Sequence, residues 1–464
     1  MIPQAIFRSL SGAAMTALVV LCIASVAFAQ QTDTASPLTL TQAVTIALEK
    51  NPQRKAALAD TKAAAADVRE ARSFLLPHVT FSETATRGND PVYVFGSRLR
   101  QQRFTSADFG LNLLNTPTPL NNFSSRFGGT WNLFDSFGSW HGVHRAEGSK
   151  EAAEHQLERA DQEVVFGVVN AYDNVLLAKK ELEVAEQATK TAQAIFDRSK
   201  ARAESGVVVE SDLLNAQVRL ASRKQELIRA QNNLSLGRAE LATAMGISAD
   251  KDIELVETLM QRSLPDQSLE ELEKQAMEMR PDLKRIQSEE AAQLQNVAIA
   301  KSSFGPRVNA FADWEADNPT FVSGGGGNNW VAGIEVQLDL FQGGARRAKL
   351  QHEQAVQDKV AALKEAARDA VRLEVRRAYY DFETARQQVE VAKAAIAQAQ
   401  ESLRITQNRY ESGVSTITDL LSAEEAASRS QANYWQTVCR YQTSYANLEL
   451  ATGTLNAQSP VVTP

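Results

Sequence analysis

The chain has 464 residues, a formal charge of -7 and 7 % aromatic residues in an Ala-, Gln- and Glu-rich body. The acidic balance excludes the basic footprint of a nucleic-acid binder, and the composition describes extended helix packing rather than one large globular core. Its 2 cysteines are Cys22 and Cys439.

Residues 1–29 read as a secretory leader: Arg8 lies in a short polar start, an apolar stretch runs from about Ala13 to Val26, and Ala27-Phe28-Ala29 before Gln30 is an A-x-A cleavage site. Val19-Val20-Leu21 ahead of Cys22 lacks the small residues of a lipoprotein site, so no acylation is expected. Cys439, then alone in the mature chain, is expected as a small packed side chain on a helix face, with no internal disulfide. No other segment approaches the roughly 18 to 20 apolar residues of a membrane helix. The mature protein is therefore either soluble outside the cytoplasm or crosses a membrane as β-strands.

The remainder is a tandem repeat. Asn51-Pro52 recurs as Arg280-Pro281 and Leu76-Pro77 as Gly305-Pro306, both 229 positions on. From Leu133-Phe134 and Leu340-Phe341 onward the offset is 207. It links Tyr172 to Tyr379, Ser205-Gly206-Val207 to Ser412-Gly413-Val414, Asp212-Leu213-Leu214 to Asp419-Leu420-Leu421, and Gly246 to Gly453. The difference of 22 residues falls inside the first hairpin, which places hairpin tips in open solvent while the helices keep a fixed length. The repeats are read as 30–246 and 269–453, with a connector at 247–268 lying on the outside of the helical body and a tail at 454–464.

Helical patterns from Leu40 to Leu75 and from Leu269 to Ser303 open the two repeats. A β-hairpin follows each, at about 77–135 and about 306–341. In the second, Val308, Ala310, Ala312, Trp314 and Ala316 alternate with Asn309, Phe311, Asp313 and Glu315. Trp330, Ala332, Ile334, Val336, Leu338 and Leu340 likewise alternate with Val331, Gly333, Glu335, Gln337 and Asp339. In the first, Phe127, Gly129, Trp131 and Leu133 alternate with Arg126, Gly128, Thr130 and Asn132, while Val79 and Phe81 begin a poorer strand containing Glu83. Segments of about 10 to 12 residues with one apolar and one polar face suit tilted strands crossing a bilayer. A half-buried soluble sheet shows the same period; the leader, the aromatic residues near strand ends and the scarcity of a globular core favour the membrane.

From roughly Ser139 to Glu204 about 65 helical residues would extend on the order of 95 Å. In the second copy Ala378, Phe382, Ala385, Val389, Ala392, Ile396, Ala399, Leu403, Thr406 and Tyr410 keep a 4-3-4-3 spacing, and their counterparts run from Ala171 to Ala203. The returning helices carry matching series from Leu213 to Ala244, with Arg223 in the seam, and from Leu420 to Ala451. Each repeat thus ends in an antiparallel helical hairpin that turns at Ser-Gly-Val. A second seam, Tyr380, Thr384, Gln387, Val391, Ala394 and Gln398, gives the long helix neighbours on both sides, as in a wall of helices. A two-stranded coiled coil with an irregular outer face is the alternative.

Four strands cannot close a barrel, and an open edge in lipid leaves backbone groups unsatisfied at several kcal/mol each. Small membrane barrels begin at about eight strands, so closure requires two or more copies. A ring of copies also closes the helices into a hollow tube.

With tandem repeats, Asn-Pro or Arg-Pro in the first helix, Leu-Pro or Gly-Pro opening each hairpin and Gly-Val with Asp-Leu-Leu at each helical turn, the chain from Leu40 to Gly453 resembles the outer-membrane efflux protein family, the TolC-like channel-tunnels. The resemblance implies an α+β membrane protein of long antiparallel coiled-coil helices with inserted β-hairpins. It would form a homotrimer whose twelve-stranded β-barrel in the outer-membrane lipid is continuous with a periplasmic α-helical barrel. The implied partners are a periplasmic adaptor (membrane fusion) protein and an inner-membrane transporter, and the implied work is passive conduction of exported substrates.

On that resemblance Ser205, Gly206, Val207, Ser412, Gly413 and Val414 are the tips that meet the adaptor, although glycine there also ends a helix cheaply. Asp212, Tyr410 and Asp419 are candidates for the periplasmic entrance; a carboxylate at a returning helix's start is equally explained by the helix dipole, and Thr416 with Asp419 fits a capping pair. Tyr410 faces Ala203 in the repeat alignment, and Ser415 and Ser422 stand where the family carries charge, which argues against an acidic gate with an arginine link. Asp313, Glu315, Glu335, Gln337 and Asp339 would line an acidic barrel lumen. No phosphate loop, HExxH or G-x-S-x-G is present. His141, His144 and His155 are spaced without a cysteine or carboxylate pair, and Gly324–Gly327 lie between strands with no helix closely following, so no enzyme, cofactor or metal site is expected. An export duct is the reading; a non-conducting helical scaffold of the envelope is the competing class, and nothing in the residues selects a cargo.

Overall fold

The computed structural model describes residues 38–206, 208–251, 253–259, 261, 267–321 and 327–463. The leader, Val207 and Gly324–Gly326 lie outside the described residues. The fold is mostly helical with one small antiparallel sheet.

The sequence patterns from Leu40 and from Leu269 each break into two helices. Helix α1 (Leu40–Lys50) starts with a Thr39–Gln42 capping box, and α2 (Pro52–Ser73) follows after Asn51. Proline cannot donate to the preceding turn and drives the residue before it out of helical geometry, and Asn51 accordingly has φ -59° and ψ 128°. Its Oδ1 accepts from Gln53 and Arg54 backbone N–H groups, so one residue ends α1 and caps α2. The second repeat breaks the same way at Arg280, between α7 (Leu269–Met279) and α8 (Pro281–Ser302).

Both breaks abut a glycine of the same repeat. The returning helices α6 (Glu210–Ala244) and α10 (Ile417–Thr452) end near Gly246 and Gly453, with φ of +71° and +77°. A Cβ on Gly246 would stand 2.7 Å from Asn51 Cα, and one on Gly453 2.8 Å from Arg280 Cα. Asn51 Nδ2 donates to Ala244 O at 2.9 Å, and Arg280 Nη1 to Ala451 O at 2.9 Å. These contacts explain why the prolines and the glycines repeat together: the helix break seats the C-terminus of the returning helix.

The long helices α5 (Gly138–Glu204) and α9 (Ala345–Glu411) have 67 residues each, about 100 Å at 1.5 Å per residue. Helices α2 and α6 both pack along α5; α8 and α10 pack along α9 and also against α5, which joins the repeats. Every position of the primary seam from Ala378 to Tyr410 is buried or half-buried, whereas Tyr380, Thr384, Gln387, Val391, Ala394 and Gln398 of the second seam are all exposed in the single chain.

The main core girdles the middle of the bundle and is larger than the composition implied. It joins α1 (Leu40, Val44), α5 (Val168, Tyr172), α9 (Val375, Phe382) and α10 (Val438, Cys439). The connector does not merely lie on the outside, since Ile253, Leu255 and Leu259 are buried there and Leu255 forms a parallel bridge with Leu38. The tail adds Leu455, Val461 and Val462.

The sheet has order β1 (His78–Gly88), β2 (Leu120–Phe134), β3 (Arg307–Asn318), β4 (Gly327–Gln337), all antiparallel. The extra residues of the first hairpin are not a plain loop: they form α3 (Pro91–Arg100), a 3₁₀ turn (Ser106–Phe109) and α4 (Leu111–Asn115).

Candidate functional site

In an antiparallel pair, residues opposite each other share a face. The register places Phe81 opposite Phe127, Phe127 opposite Trp314 and Trp314 opposite Trp330, so one aromatic row crosses all four strands. Phe81 and Phe127 are 4.9 Å apart and Phe127 and Trp314 5.9 Å. Val79, Trp131, Ile334 and Val336 share this face; Trp330 is 79 % and Ile334 68 % exposed. No helix of the described residues is long and apolar enough to cross a membrane. Glu83, Ser125, Asn318 and Asn328 also stand on this face, Glu83 accepting from Ser125 Oγ on the opposite strand.

The other face is mostly polar, although Phe311 and Val331 stand on it. Thr80, Ser82 and Thr84 stand on it with Ser124, Arg126, Thr130, Asp313, Glu315, Glu335 and Gln337. It is less acidic than the carboxylates alone imply, because Arg126 Nη2 meets Asp313 Oδ2 at 2.8 Å and Arg307 stands opposite Gln337. Asp339 lies past the end of β4, where its carboxylate accepts from Gln342 Nε2 at 2.9 Å, so it does not belong to the strand's polar face.

At the far end of the helices, Gly206 and Gly413 take φ of +72° and +75°, the left-handed geometry that lets each chain reverse after α5 and α9. Ser205, Gly206, Ser412, Gly413 and Val414 are exposed. Asp419 is engaged locally: Thr416 Oγ1 donates to its Oδ2 at 2.7 Å, Thr416 N at 3.0 Å and Ser415 Oγ at 3.0 Å. The Thr416 hydroxyl above all, with that backbone N–H and Ser415, holds the carboxyl below its usual range. Asp212 has no such cap, since Val209 precedes α6 without a side-chain hydrogen bond.

Tyr410 is buried between the two hairpins with Ile195, Ala216, Ile417, Leu420 and Leu421. Arg202 stacks over its ring at 5.2 Å and donates to Tyr410 O (3.3 Å) and Glu411 O (2.9 Å), while Arg198 pairs with Glu411 Oε1 at 2.6 Å. Within the chain, Arg198 and Arg202 of α5 thus reach from the first tip to the second. At the 207-residue offset Arg202 matches Arg409 while Arg198 matches Ile405; Arg198 and Arg202 share a helix face by their i,i+4 spacing. Further along the helices from the tips, Arg223 and Glu424 form a buried pair at 2.9 Å, which accounts for an arginine in an apolar seam. His141, His144 and His155 meet different partners, Gln295, Glu147 and Glu158, and no metal-holding cluster occurs among the described residues.

The sequence profile of the outer membrane efflux proteins matches residues 43–247 and 272–454. Protein CyaE of Bordetella pertussis is 25 % identical over 397 residues, which is 84 % of this chain and 79 % of that protein. Outer membrane protein TolC of Escherichia coli is 24 % identical over 426 residues, 88 % of this chain and 80 % of its own. The crystal structure of the Campylobacter jejuni CmeC outer membrane channel superposes with a TM-score of 0.77 at 19 % identity, covering 94 % of this chain and 92 % of that one. The chain belongs to the outer membrane efflux protein family. It is a TolC-like channel protein of the Gram-negative outer membrane, and its relatives are channels rather than enzymes.

Proposed function

We propose that three copies close their sheets into a twelve-stranded barrel in the outer membrane, continuous with a helical tube in the periplasm. The tube passively conducts substrates delivered by an inner-membrane transporter through a periplasmic adaptor. The carrying observation is the sheet itself: one face is largely apolar and the other largely polar, and β1 and β4 end in edges that one chain leaves unpaired. In lipid those edges are satisfied only by pairing β4 of one copy with β1 of the next. The exposed second seam on α9 supports the same ring, because the neighbouring copy supplies the helix it lacks. In the closed assembly Asp313, Glu315, Glu335 and Gln337 face the lumen, and Arg202, Tyr410 and Glu411 stand at the periplasmic entrance with Asp212 and Asp419. Ser205, Gly206, Ser412, Gly413 and Val414 meet the adaptor.

A photo-crosslinking residue at Val414, which is 68 % exposed, tests the docking in living cells, with the captured partner identified by mass spectrometry. Capture of a periplasmic adaptor is expected, and its class would indicate the cargo. Capture of cell-wall material alone, by protein folded in the outer membrane, would refute docking at the tips. Absence of ion current from purified protein in planar bilayers would move the assignment to a non-conducting scaffold.

A further inference from the structure

The insertion of the first hairpin does not project away from the sheet. Helix α3 begins beside β1 and β2, where Tyr93 Oη donates to Thr86 O (3.0 Å) and Leu120 O (3.4 Å). Its other end reaches β4: Asn329 Nδ2 donates to Arg100 O at 3.3 Å, and Gln102 Nε2 to Asn328 O at 3.5 Å. Gly327 fits there because it has no side chain; a Cβ would stand 1.8 Å from Arg100 O. Ten residues of helix span about 15 Å, and three strand spacings are about 14 Å, so α3 is the length needed to cross the sheet.

The face it crosses is the polar one. Gln101 Nε2 donates to Asn122 Oδ1 at 2.8 Å, Asn122 Nδ2 to Asp317 Oδ1 at 2.6 Å, and Arg100 approaches Glu315 at 3.7 Å. Asn122, Glu315, Asp317 and Asn329 all belong to the polar face by register. Gln101, Asn122 and Asp317 are buried beneath the crossing, whereas Glu335 and Gln337, nearer the helical body, are exposed. The insertion also carries its own support, the Phe95, Phe104 and Phe109 cluster and the Arg98–Asp108 pair. Among the described residues the second hairpin has no counterpart, and each chain contributes this one element.

We propose that residues 91–115 are a cap that narrows the outer mouth of the pore and limits the size of what enters or leaves it there. This rests on the trimeric barrel proposed above, in which the polar face is the lumen. Three caps, one per copy, then lie across the lumen at the end remote from the periplasm, held by the Gln101, Asn122 and Asp317 network.

The test introduces Glu335→Cys on the polar face below the cap and labels intact cells with a small maleimide and a bulky polymer-linked one; native Cys439 is buried. The same cysteine is examined with residues 91–117 replaced by an Asn-Gly turn, and with Gln101→Ala plus Asn122→Ala, which unties the cap at full chain length. The small reagent is expected to label all forms, and the polymer reagent to label the two altered forms several-fold faster than the parent. Equal polymer labelling in all three overturns the cap while leaving the barrel intact. Failure of the small reagent in every form, with Val92→Cys on the cap still labelled from outside, overturns the lumen assignment and the cap with it.

Discussion

The guanidinium of Arg202 lies over the ring of Tyr410, 5.2 Å from its centroid, and ties the tip of the first helical hairpin to the tip of the second. The Tyr410 hydroxyl has no hydrogen-bond partner among the described residues, so Arg202 acts through the stack and two backbone carbonyls, beside the Arg198–Glu411 pair. A stacked, partly solvated cation contributes about 1 to 2 kcal/mol, enough for roughly a tenfold change in a two-state population. Arg202→Ala is expected to raise open probability in planar bilayers by about that factor, and adding Tyr410→Ala to raise it little further. Unchanged conductance in Arg202→Ala would show that the entrance is held elsewhere.

Gly453→Ala and Gly246→Ala each place a methyl against the backbone of a helix break at positive φ. Each is expected to cost about 1 to 3 kcal/mol, read as a lower midpoint of thermal unfolding in detergent. Gly142→Ala, where a Cβ meets nothing within 4 Å, is the control and should leave the midpoint unchanged or slightly raised.

The two tips differ in how their returning helices start. Helix α10 has the Thr416–Asp419 capping box and α6 has no side-chain cap. A cap contributes about 1 kcal/mol, so backbone amides at 210–214 should exchange with deuterium faster than those at 417–421. Thr416→Ala should bring the second tip toward the rate of the first, and equal exchange in the parent protein would contradict the assignment.

Burial pushes the Glu449 carboxyl up from 4.5 to about 7, against an opposing hydrogen bond from Ser459. Between those values the folded chain keeps a proton that the unfolded chain releases. Stability therefore falls as pH rises through that window and levels off above it, by roughly 3 kcal/mol in all. Denaturant midpoints from pH 4 to 8 should show the fall, and Glu449→Gln should flatten that component.

Opposite faces of one strand should respond oppositely to charge. Val336→Arg sets a cation on the apolar face and is expected to cost up to about 2 to 4 kcal/mol in vesicle refolding, depending on its depth. Glu335→Arg, one residue earlier on the polar face, should refold normally and shift ion selectivity toward anions. Similar losses from both would contradict the separation of faces.

Much of this architecture was legible because the chain obeys two periods. The seam from Ala378 to Tyr410 and the alternation from Val308 to Ala316 each count residues along one element, and burial and register follow them. The helix break at Pro281 was visible as a repeated dipeptide, but its purpose was not, since Arg280 acts on Ala451 far along the chain. Helix α3 escaped notice because its Val94 and Phe95 serve a small local cluster instead of a long face. Arg202 escaped because its partners lie on the other hairpin, and a repeat offset cannot reveal a contact between unlike positions. The Asp313 pairing with Arg126 was missed for the same reason: it needs the order of strands, not their sequence alone.

The equal length of α5 and α9 has a further consequence. One residue added to either helix alone would advance its tip by about 1.5 Å and swing it by about 100°. Arg202 and Tyr410 would then miss each other, and a seam that meets its neighbours above the insertion would turn away below it. The hairpins can therefore vary freely in length while the helices cannot drift singly: any lengthening that survives must occur in both halves of the gene, by whole turns, at matching places.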